Sequence, residues 1–209
     1  MTQVIALCGY AGVGKDTVAN ILAENHGFKR LAFADKVKEV LLEIDPIIQG
    51  YRETYRLSDL IEGMGWDYAK GEYPEIRRLL QHVGTDFRNL VDDQAWIRPV
   101  VKEIFYGSAS KVVVSDVRFF NEARALRNIS GTQLTIVRLT RPGIGPANDH
   151  ISENTPIPHD LEAPLDSVSL DQMPSYVENL LRLIESTQDN RQSLWDKFIK
   201  EIDQVSGQA

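Results

Sequence analysis

A glycine-rich stretch near the N-terminus contains the residue types that bind phosphate groups. It reads Gly9-Tyr10-Ala11-Gly12-Val13-Gly14-Lys15-Asp16-Thr17 and fits the pattern G-x-x-x-x-G-K. Glycine lets the backbone curl so that its N–H groups point toward an anion, and the lysine that ends the pattern reaches the β- and γ-phosphates of a nucleotide. A helix that begins here presents its positive N-terminus to the same anion. The pattern therefore predicts a phosphate-binding loop (P-loop) with five leading contributors: Ala11, Gly12, Val13, Gly14 and Lys15.

The position after the lysine departs from the usual pattern. A serine or threonine hydroxyl commonly contacts Mg²⁺ there, but this chain has Asp16, and Thr17 comes one residue later. Thr17 is therefore the candidate metal ligand of the loop, either directly or through a water molecule. Asp16 has two interpretations, because it could complement the helix dipole in the first turn or take part in the nucleotide site.

Two other nucleotide-binding classes fit the sequence less well. Asp35 lies at about the distance at which a Rossmann dinucleotide site places its ribose-binding acid, but glycines spaced G-x-x-G-x-G-K are not that fingerprint. The Asn-Lys-x-Asp motif with which GTPases read guanine does not occur in the sequence. The P-loop interpretation is therefore favoured over both.

Hydrophobic periodicity predicts the elements that position this loop. Val4–Cys8 is a continuous apolar run, typical of a buried parallel strand, and apolar residues at helical spacing follow in 17–23. Further strands are predicted at 31–33, 112–114 and 134–139, and helical faces at 37–44, 75–90, 97–105, 123–129, 175–186 and 191–204. Residues 142–174 hold six of the nine prolines and are predicted to form a long loop region. The alternation indicates an α/β fold, a parallel sheet flanked by helices.

Length and composition predict a single domain, 1–209. The chain has 209 residues, of which 43% are hydrophobic and 25% charged, and one domain commonly has about 100–200 residues. Residues 50–73 contain four glycines and four of the seven tyrosines, and we expect a mobile substrate-binding insertion there. Residues 187–209 are expected to form a C-terminal helical extension. This segment has an apolar stripe that consists of Trp195, Phe198, Ile199 and Ile202. The stripe indicates packing within the chain or a homodimer contact.

The charge balance argues against some classes of partner. The formal net charge of −7 disfavours a broad surface for polymeric nucleic acid or for an anionic membrane. Residues 111–141 nevertheless carry six Lys+Arg against two Asp+Glu, which suits a small polyanion. No apolar run approaches the about 18 residues of a membrane span, and the single Cys8 cannot form an intrachain disulfide. Because the first residues also lack the basic start of a signal peptide, a cytoplasmic location is expected.

Five further motifs follow the P-loop in order: Arg77–Asp86 (RRLLQHVGTD), Trp96, Val114–Glu122 (VSDVRFFNE), Arg138–Gly143 (RLTRPG) and His150–Glu153 (HISE). With the P-loop they resemble the bacteriophage deoxynucleoside monophosphate kinases over residues 4–186. The resemblance implies a P-loop kinase-type fold with a helical substrate-binding or lid insertion. It also implies a Mg²⁺-dependent transfer of the γ-phosphoryl group of ATP to a deoxynucleoside monophosphate, in the host cytoplasm if the chain is phage-encoded.

The resemblance also implies roles for individual residues. Lys15, Asp116 and Arg118 would be catalytic, Arg141 would join residues 11–17 in binding ATP, and Thr17 and Asp116 would hold the metal, Asp116 through water. Acidic residues that follow buried strands commonly hold ligands in α/β folds, and arginines neutralise phosphate charge well. The acceptor would contact Val37, Lys38, Arg78, Gly84, Thr85, Trp96, Asp116, Arg118, Glu122, His150 and Glu153.

Two alternatives stay open at the level of sequence. The chain could be a P-loop kinase for another small acceptor, such as dephospho-coenzyme A. It could also be a non-catalytic module whose bound nucleotide regulates a partner. In each case the expected ligands are small-molecule nucleotides.

Overall fold

The computed structural model describes residues 1–146, 157–166 and 168–186. It divides into two compact units: the first contains Met1–Ala32 and the chain from Val101 onward, and the second is Phe33–Val100. The predicted extension at 187–209, with its apolar stripe, lies outside the described residues, as do His150 and Glu153. In chain order the elements are β1 (Thr2–Cys8), α1 (Lys15–His26), β2 (Lys29–Leu31), α2 (Phe33–Ile44), β3 (Ile47–Gln49), β4 (Thr54–Arg56), α3 (Leu57–Glu72), α4 (Pro74–Leu90), α5 (Ile97–Tyr106), β5 (Lys111–Val114), α6 (Phe120–Arg127), β6 (Thr132–Thr140), β7 (Leu161–Pro164) and α7 (Met173–Ser186).

The first unit is built on a five-stranded sheet with the strand order β2-β5-β1-β6-β7. Every neighbouring pair of strands is parallel, and Ala6 of the central strand β1 lies opposite Val114 of β5 and Ile136 of β6. Residues 4–8 are all buried, as the continuous apolar run predicts for a strand covered on both faces. The predicted α/β class with a parallel sheet flanked by helices is confirmed.

Helices α1 and α7 pack on the same side of this sheet. Val18 of α1 and Val177 of α7 share a buried cluster with Val113 of β5. Within residues 1–146, 157–166 and 168–186, none of the helices combines the length and the apolar character that crossing a bilayer requires. Helices α1 and α7 cover this side of the sheet with apolar side chains in its core.

The second unit is mainly helical. Strands β3 and β4 form a short antiparallel hairpin, and α2, α3 and α4 surround a core that includes Leu41, Leu57 and Ile76. Gly65 interrupts α3 with φ 73° and ψ 164°, a conformation that is essentially restricted to glycine. A Cβ at Gly65 would meet nothing within 4 Å, so the requirement for glycine comes from the backbone and not from lack of space.

Two predicted elements are wrong in part. The strand expected at 31–33 is Lys29–Leu31, and Phe33 instead begins α2 with its side chain buried. The predicted loop at 142–174 contains β7, where Pro164 is tolerated because β7 is an edge strand. The hairpin β3–β4 was not predicted, and the expected insertion at 50–73 contains β4 and α3. Its predicted mobility stays a prediction.

Candidate functional site

The glycine-rich stretch connects the carboxyl end of β1 to the first turn of α1. Gly9, Gly12 and Gly14 have positive φ angles of 129°, 78° and 111°, which L side chains rarely adopt. A Cβ on Gly9 would lie 2.4 Å from the carbonyl oxygen of Leu139, so the loop passes directly against β6. The three glycines are therefore required by the backbone path, as the P-loop pattern predicts.

The side chain of Lys15 lies inside the curl of this loop. Its Nζ donates hydrogen bonds of 2.8 Å each to the carbonyl oxygens of Gly9 and Tyr10. Only 7% of Lys15 is exposed, and a buried ammonium requires such acceptors. The structure thus places the positive charge of Lys15 within the loop, at the N-terminus of α1.

Asp16 and Thr17 occupy the first turn of α1. The Asp16 carboxylate accepts a hydrogen bond of 2.6 Å from Arg30 and its side chain is 77% exposed. Arg30 also donates to Oδ1 of Asn20, over 2.8 Å. The Asp16 carboxylate therefore lies in a surface ion pair next to the positive end of the helix dipole, while Thr17 is half-buried.

Three predicted residues follow β5, which neighbours β1 in the sheet. Oε2 of the buried Glu122 accepts hydrogen bonds from the backbone N–H groups of Arg118, at 2.8 Å, and Phe119, at 3.0 Å. Glu122 thereby fixes the turn that begins α6, while the side chain of Arg118 is exposed and Asp116 is half-buried. Because β5 and β1 are parallel, this turn and the P-loop lie at the same edge of the sheet.

Arg141 lies beside the P-loop at the end of β6. A Cβ on Gly14 would be 3.8 Å from its Nη2. The Nε of Arg141 is buried and forms no hydrogen bond to any residue of the described ranges. Arg141 therefore brings a second cation to the loop.

Arg138 begins the motif Arg138–Gly143, but the sequence predicted no role for it; it lies in β6, three residues before Arg141. Its guanidinium stacks over the ring of Tyr10, 5.8 Å from the ring centroid, a geometry in which a cation is attracted to the aromatic face. The parallel register of β1 and β6 sets Cys8 opposite Arg138 and so brings Arg138 close to the loop. No local pattern in the sequence shows this register.

Cys8 is the last residue of β1 and carries a neutral thiol. Burial raises the pKa of the Cys8 thiol to about 12, although the nearby charges of Arg138 and Lys15 act in the opposite direction. A thiol with such a pKa is not a nucleophile near neutral pH. Cys8 is therefore a packing residue of the strand.

Two predicted metal ligands lie at this edge of the sheet. Thr17 supplies a hydroxyl and Asp116 a carboxylate, which suit Mg²⁺ because Mg²⁺ commonly uses one or two protein oxygens together with water and substrate phosphates. Among residues 1–146, 157–166 and 168–186, no group of three or more His, Cys, Asp or Glu side chains could hold a metal ion. One hydroxyl and one carboxylate are a donor set that suits Mg²⁺ when water and substrate phosphates complete its coordination.

In the second unit, the structure brings together three of the predicted acceptor residues. A Cβ on Gly84 would lie 3.7 Å from both methyl groups of Val37, so α2 and α4 approach closely at this point. Trp96 is 6% exposed, and its Nε1 donates a hydrogen bond of 2.9 Å to the carbonyl oxygen of Gly84. Phe87 packs on Trp96 with ring centroids 5.3 Å apart. The Trp96 ring therefore holds α4 in place through Gly84 and Phe87.

The remaining predicted acceptor residues of this unit lie nearby on α2 and α4. Lys38 pairs with Asp35 at 3.0 Å, and Arg78 pairs with Glu75 at 3.1 Å. Thr85 follows Gly84 and is half-buried. Both ion pairs join residues three positions apart on one helix, where such pairs contribute little to stability, so either cation can exchange its partner for a ligand.

We expect Trp96→Phe to lower the free energy of unfolding by about 1–2 kcal/mol, because it removes a buried hydrogen bond and leaves a small cavity. Chemical denaturation followed by circular dichroism measures the change. Trp66→Phe is the matched control, since Trp66 is only half-buried. An equal loss in both variants would contradict the role assigned to the indole N–H of Trp96.

Comparison with known proteins identifies two relationships in sequence. Residues 67–162 match the family model described as deoxynucleotide monophosphate kinase. A candidate deoxynucleotide monophosphate kinase of Acanthamoeba polyphaga mimivirus is 31% identical over 169 residues, which cover 72% of this chain and 80% of that protein. The matched family segment begins after the P-loop, so the loop and the segment are separate observations.

Comparison with solved structures finds kinases of several kinds. A gluconokinase from Sinorhizobium meliloti 1021 has a TM-score of 0.46 and 16% identity, with 88% of this chain and 94% of that chain covered. A shikimate kinase from Bacteroides thetaiotaomicron has a TM-score of 0.45 and 13% identity, with 87% and 98% covered. Likenesses at this level do not assign an activity.

Proposed function

Because this chain belongs to the deoxynucleotide monophosphate kinase family, we propose that it transfers the γ-phosphoryl group of ATP to a deoxynucleoside 5′-monophosphate. The products are ADP and the deoxynucleoside diphosphate. The observation that carries the proposal is the P-loop itself, which holds the buried ammonium of Lys15 at the carboxyl edge of a parallel sheet. That edge is where α/β folds bind nucleotides.

The P-loop is the proposed site of the ATP phosphates. The N–H groups of residues 11–17 and the dipole of α1 favour bound phosphate, and Lys15 supplies a full charge. The buried Nε of Arg141 has no acceptor among the described residues, and a phosphate oxygen or another polar group of ATP would satisfy it. These features fit a nucleotide with several negative charges.

Thr17 and Asp116 are the proposed protein ligands of Mg²⁺, Asp116 through water. Bound Mg²⁺ neutralises phosphate charge and orients the β- and γ-phosphates for transfer. The Asp16 carboxylate is held by Arg30, so we assign it no contact with the metal. Mg²⁺ is then retained chiefly through the nucleotide, as is common for this ion.

The proposed reaction is a direct displacement. An oxygen of the acceptor monophosphate bonds to the γ-phosphorus, the bond from that phosphorus to the bridging oxygen breaks, and ADP leaves. No covalent enzyme intermediate is needed, so the protein contributes orientation and charge. We propose that Lys15 and Arg118 stabilise the transferred group, and that Glu122 holds the backbone from which Arg118 projects.

For the second unit, we propose that Lys38 and Arg78 contact the acceptor monophosphate. Each has a single surface ion pair, with Asp35 and Glu75 respectively, that a phosphate can replace. We assign Trp96 a positioning role through its hydrogen bond to Gly84. Val37 and Thr85 are proposed to shape the same surface of α2 and α4. The proposed ligands are thus small nucleotides, and polymeric nucleic acid is not among them.

A panel of monophosphates tests the proposal. The protein is incubated with ATP, Mg²⁺ and each deoxy- or ribonucleoside monophosphate, with dephospho-coenzyme A as a further acceptor, and ADP and the phosphorylated product are quantified. We expect turnover with at least one deoxynucleoside monophosphate, and Lys15→Ala should lower it at least about 10²-fold. Lys29→Ala is the control, since Lys29 is an exposed lysine of β2 that pairs with Glu103.

Two results would argue against a deoxynucleotide monophosphate kinase. Turnover of dephospho-coenzyme A alone would assign a different acceptor. ATP binding without turnover of any acceptor would favour a regulatory nucleotide-binding module.

A further inference from the structure

Ser115 carries a buried hydroxyl group that the described residues leave without a partner. The residue is 1% exposed, and its Oγ forms no hydrogen bond within the described part of the chain. A hydroxyl without a partner in an apolar interior is unfavourable by about 1–3 kcal/mol. Natural proteins keep few such groups, and each calls for a physical reason.

The position of Ser115 at the end of β5 places this hydroxyl on the face of the sheet that α1 covers. Ser115 continues β5, since its N–H donates a 3.0 Å hydrogen bond to the carbonyl oxygen of Leu31. Successive side chains of a strand point to opposite faces, so Ser115 shares a face with Val113. Val113 packs in the same cluster as Val13 of the P-loop and Val18 of α1. The shared face is therefore the one that α1 covers.

Along the direction of the strands, Ser115 lies beside the end of β1, close to the start of the P-loop. Ile5 lies opposite Val113 in the parallel register, so Ser115 is level with Leu7, two residues before Gly9. The N–H of Val117 donates a 3.0 Å hydrogen bond to the carbonyl oxygen of Leu7, which holds this segment beside β1. Ser115 therefore lies next to the start of the P-loop, on the side from which α1 presents its N-terminus.

The P-loop itself lacks a hydroxyl at the position where one is usual. The residue after Lys15 is Asp16, whose carboxylate is 77% exposed and paired with Arg30. A hydroxyl from the neighbouring strand can make a hydrogen bond that the loop residue does not provide.

We propose that Ser115 is a binding residue of the P-loop site and that its hydroxyl hydrogen-bonds an oxygen of the bound Mg²⁺–nucleotide. The inference depends on the proposed function, because it requires a nucleotide in the P-loop. The oxygen belongs either to a phosphate group or to a water molecule held by Mg²⁺. Both present the same chemistry to Ser115, because a hydroxyl can donate and accept.

Ser115→Ala tests the proposal with two readouts that need no turnover. Without nucleotide, the variant should be as stable as the wild type or more stable, because the substitution removes a buried polar group without a partner. With a non-hydrolysable ATP analogue and Mg²⁺, the analogue should bind about 10-fold more weakly. The ligand-induced rise in the unfolding temperature should shrink accordingly.

The same titration with EDTA in place of Mg²⁺ distinguishes the two oxygen sources. A defect that persists without metal assigns the hydrogen bond to a phosphate oxygen, and a defect that disappears assigns it to a metal-bound water. Ser186→Ala is the control, since its hydroxyl donates to the carbonyl oxygen of Leu183 at the end of α7. That variant should bind the analogue as the wild type does.

Three results would overturn the inference. Wild-type affinity in Ser115→Ala would show that the hydroxyl does not face the ligand. A loss of stability in the nucleotide-free variant would show that the hydroxyl already has a partner in the free protein. Failure of the wild type itself to bind the analogue would overturn the proposed function, and the role of Ser115 with it.

Discussion

Arg118→Ala should lower turnover about 10³-fold, while the affinity for ATP changes little. An arginine that stabilises a phosphoryl group in transfer is worth about this factor or more, and alanine cannot replace its planar, fixed charge. The substitution leaves the backbone N–H of Arg118 bonded to Glu122, so the turn before α6 should persist. Steady-state kinetics with an accepted monophosphate, combined with ATP titration, measures the two effects separately.

Arg124→Ala is the matched control for this result. Arg124 is an exposed arginine on α6, six residues further along the chain, and its loss removes the same net charge from the same helix region. Turnover in the control should stay within about twofold of the wild type, because exposed charges outside a site have small effects. Near-normal turnover in Arg118→Ala would remove Arg118 from the mechanism.

Asp160→Ala should lower the free energy of unfolding by about 3–5 kcal/mol, the usual effect of removing one partner of a buried ion pair. Nη2 of Arg127 lies 2.8 Å from both carboxylate oxygens of Asp160, and the two side chains are 10% and 2% exposed. Oδ2 of Asp160 also accepts a 2.8 Å hydrogen bond from the N–H of Ile136. Asp160 therefore connects α6, β6 and the start of β7, and its removal takes the carboxylate away from a buried guanidinium. Chemical denaturation at neutral pH measures the loss.

Two further variants identify the cause of that loss. Glu162→Ala removes an exposed carboxylate two residues away and should change the free energy of unfolding by no more than about 0.5 kcal/mol. Replacing Arg127 and Asp160 together by apolar residues should recover much of the stability, because no unpaired charge then remains buried. A loss below about 1 kcal/mol in Asp160→Ala would show that the ion pair is not a stabilising element.

The sequence was sufficient to predict the P-loop and the parallel sheet around it. Residues 4–8 form an uninterrupted apolar run, and the glycines that follow have φ angles that only the loop pattern explains. Both signals are local: burial on two faces requires apolar residues throughout, and positive φ selects glycine. Helix α4 was predictable for a similar reason, since its apolar residues recur at helical spacing.

Features that depend on distant parts of the chain were not predictable. Strand β7 has only four residues and ends at Pro164, so its signal resembles that of a loop until its place at the sheet edge is known. In α3, the glycines at 63, 65 and 71 weaken the local helix signal, so that only the resemblance indicated a helical insertion, and tertiary packing stabilises the helix. The pairs Arg127–Asp160 and Arg138–Tyr10 join side chains that no local pattern connects. The hydroxyl of Ser115, which has no partner within the described part of the chain, likewise became evident only from its surroundings.

Without nucleotide, carbonyl oxygens of the P-loop bind the same Lys15 ammonium that the proposed nucleotide would contact. The ammonium is already removed from water, and it donates to the carbonyl oxygens of Gly9 and Tyr10, which are neutral acceptors. Both hydrogen bonds are already charge-assisted through the ammonium, and a phosphate oxygen in place of a carbonyl oxygen would add an opposite charge at the acceptor. Under the proposed function, Lys15 would therefore exchange its carbonyl partners for a polyphosphate more readily than for a neutral sugar or nucleoside.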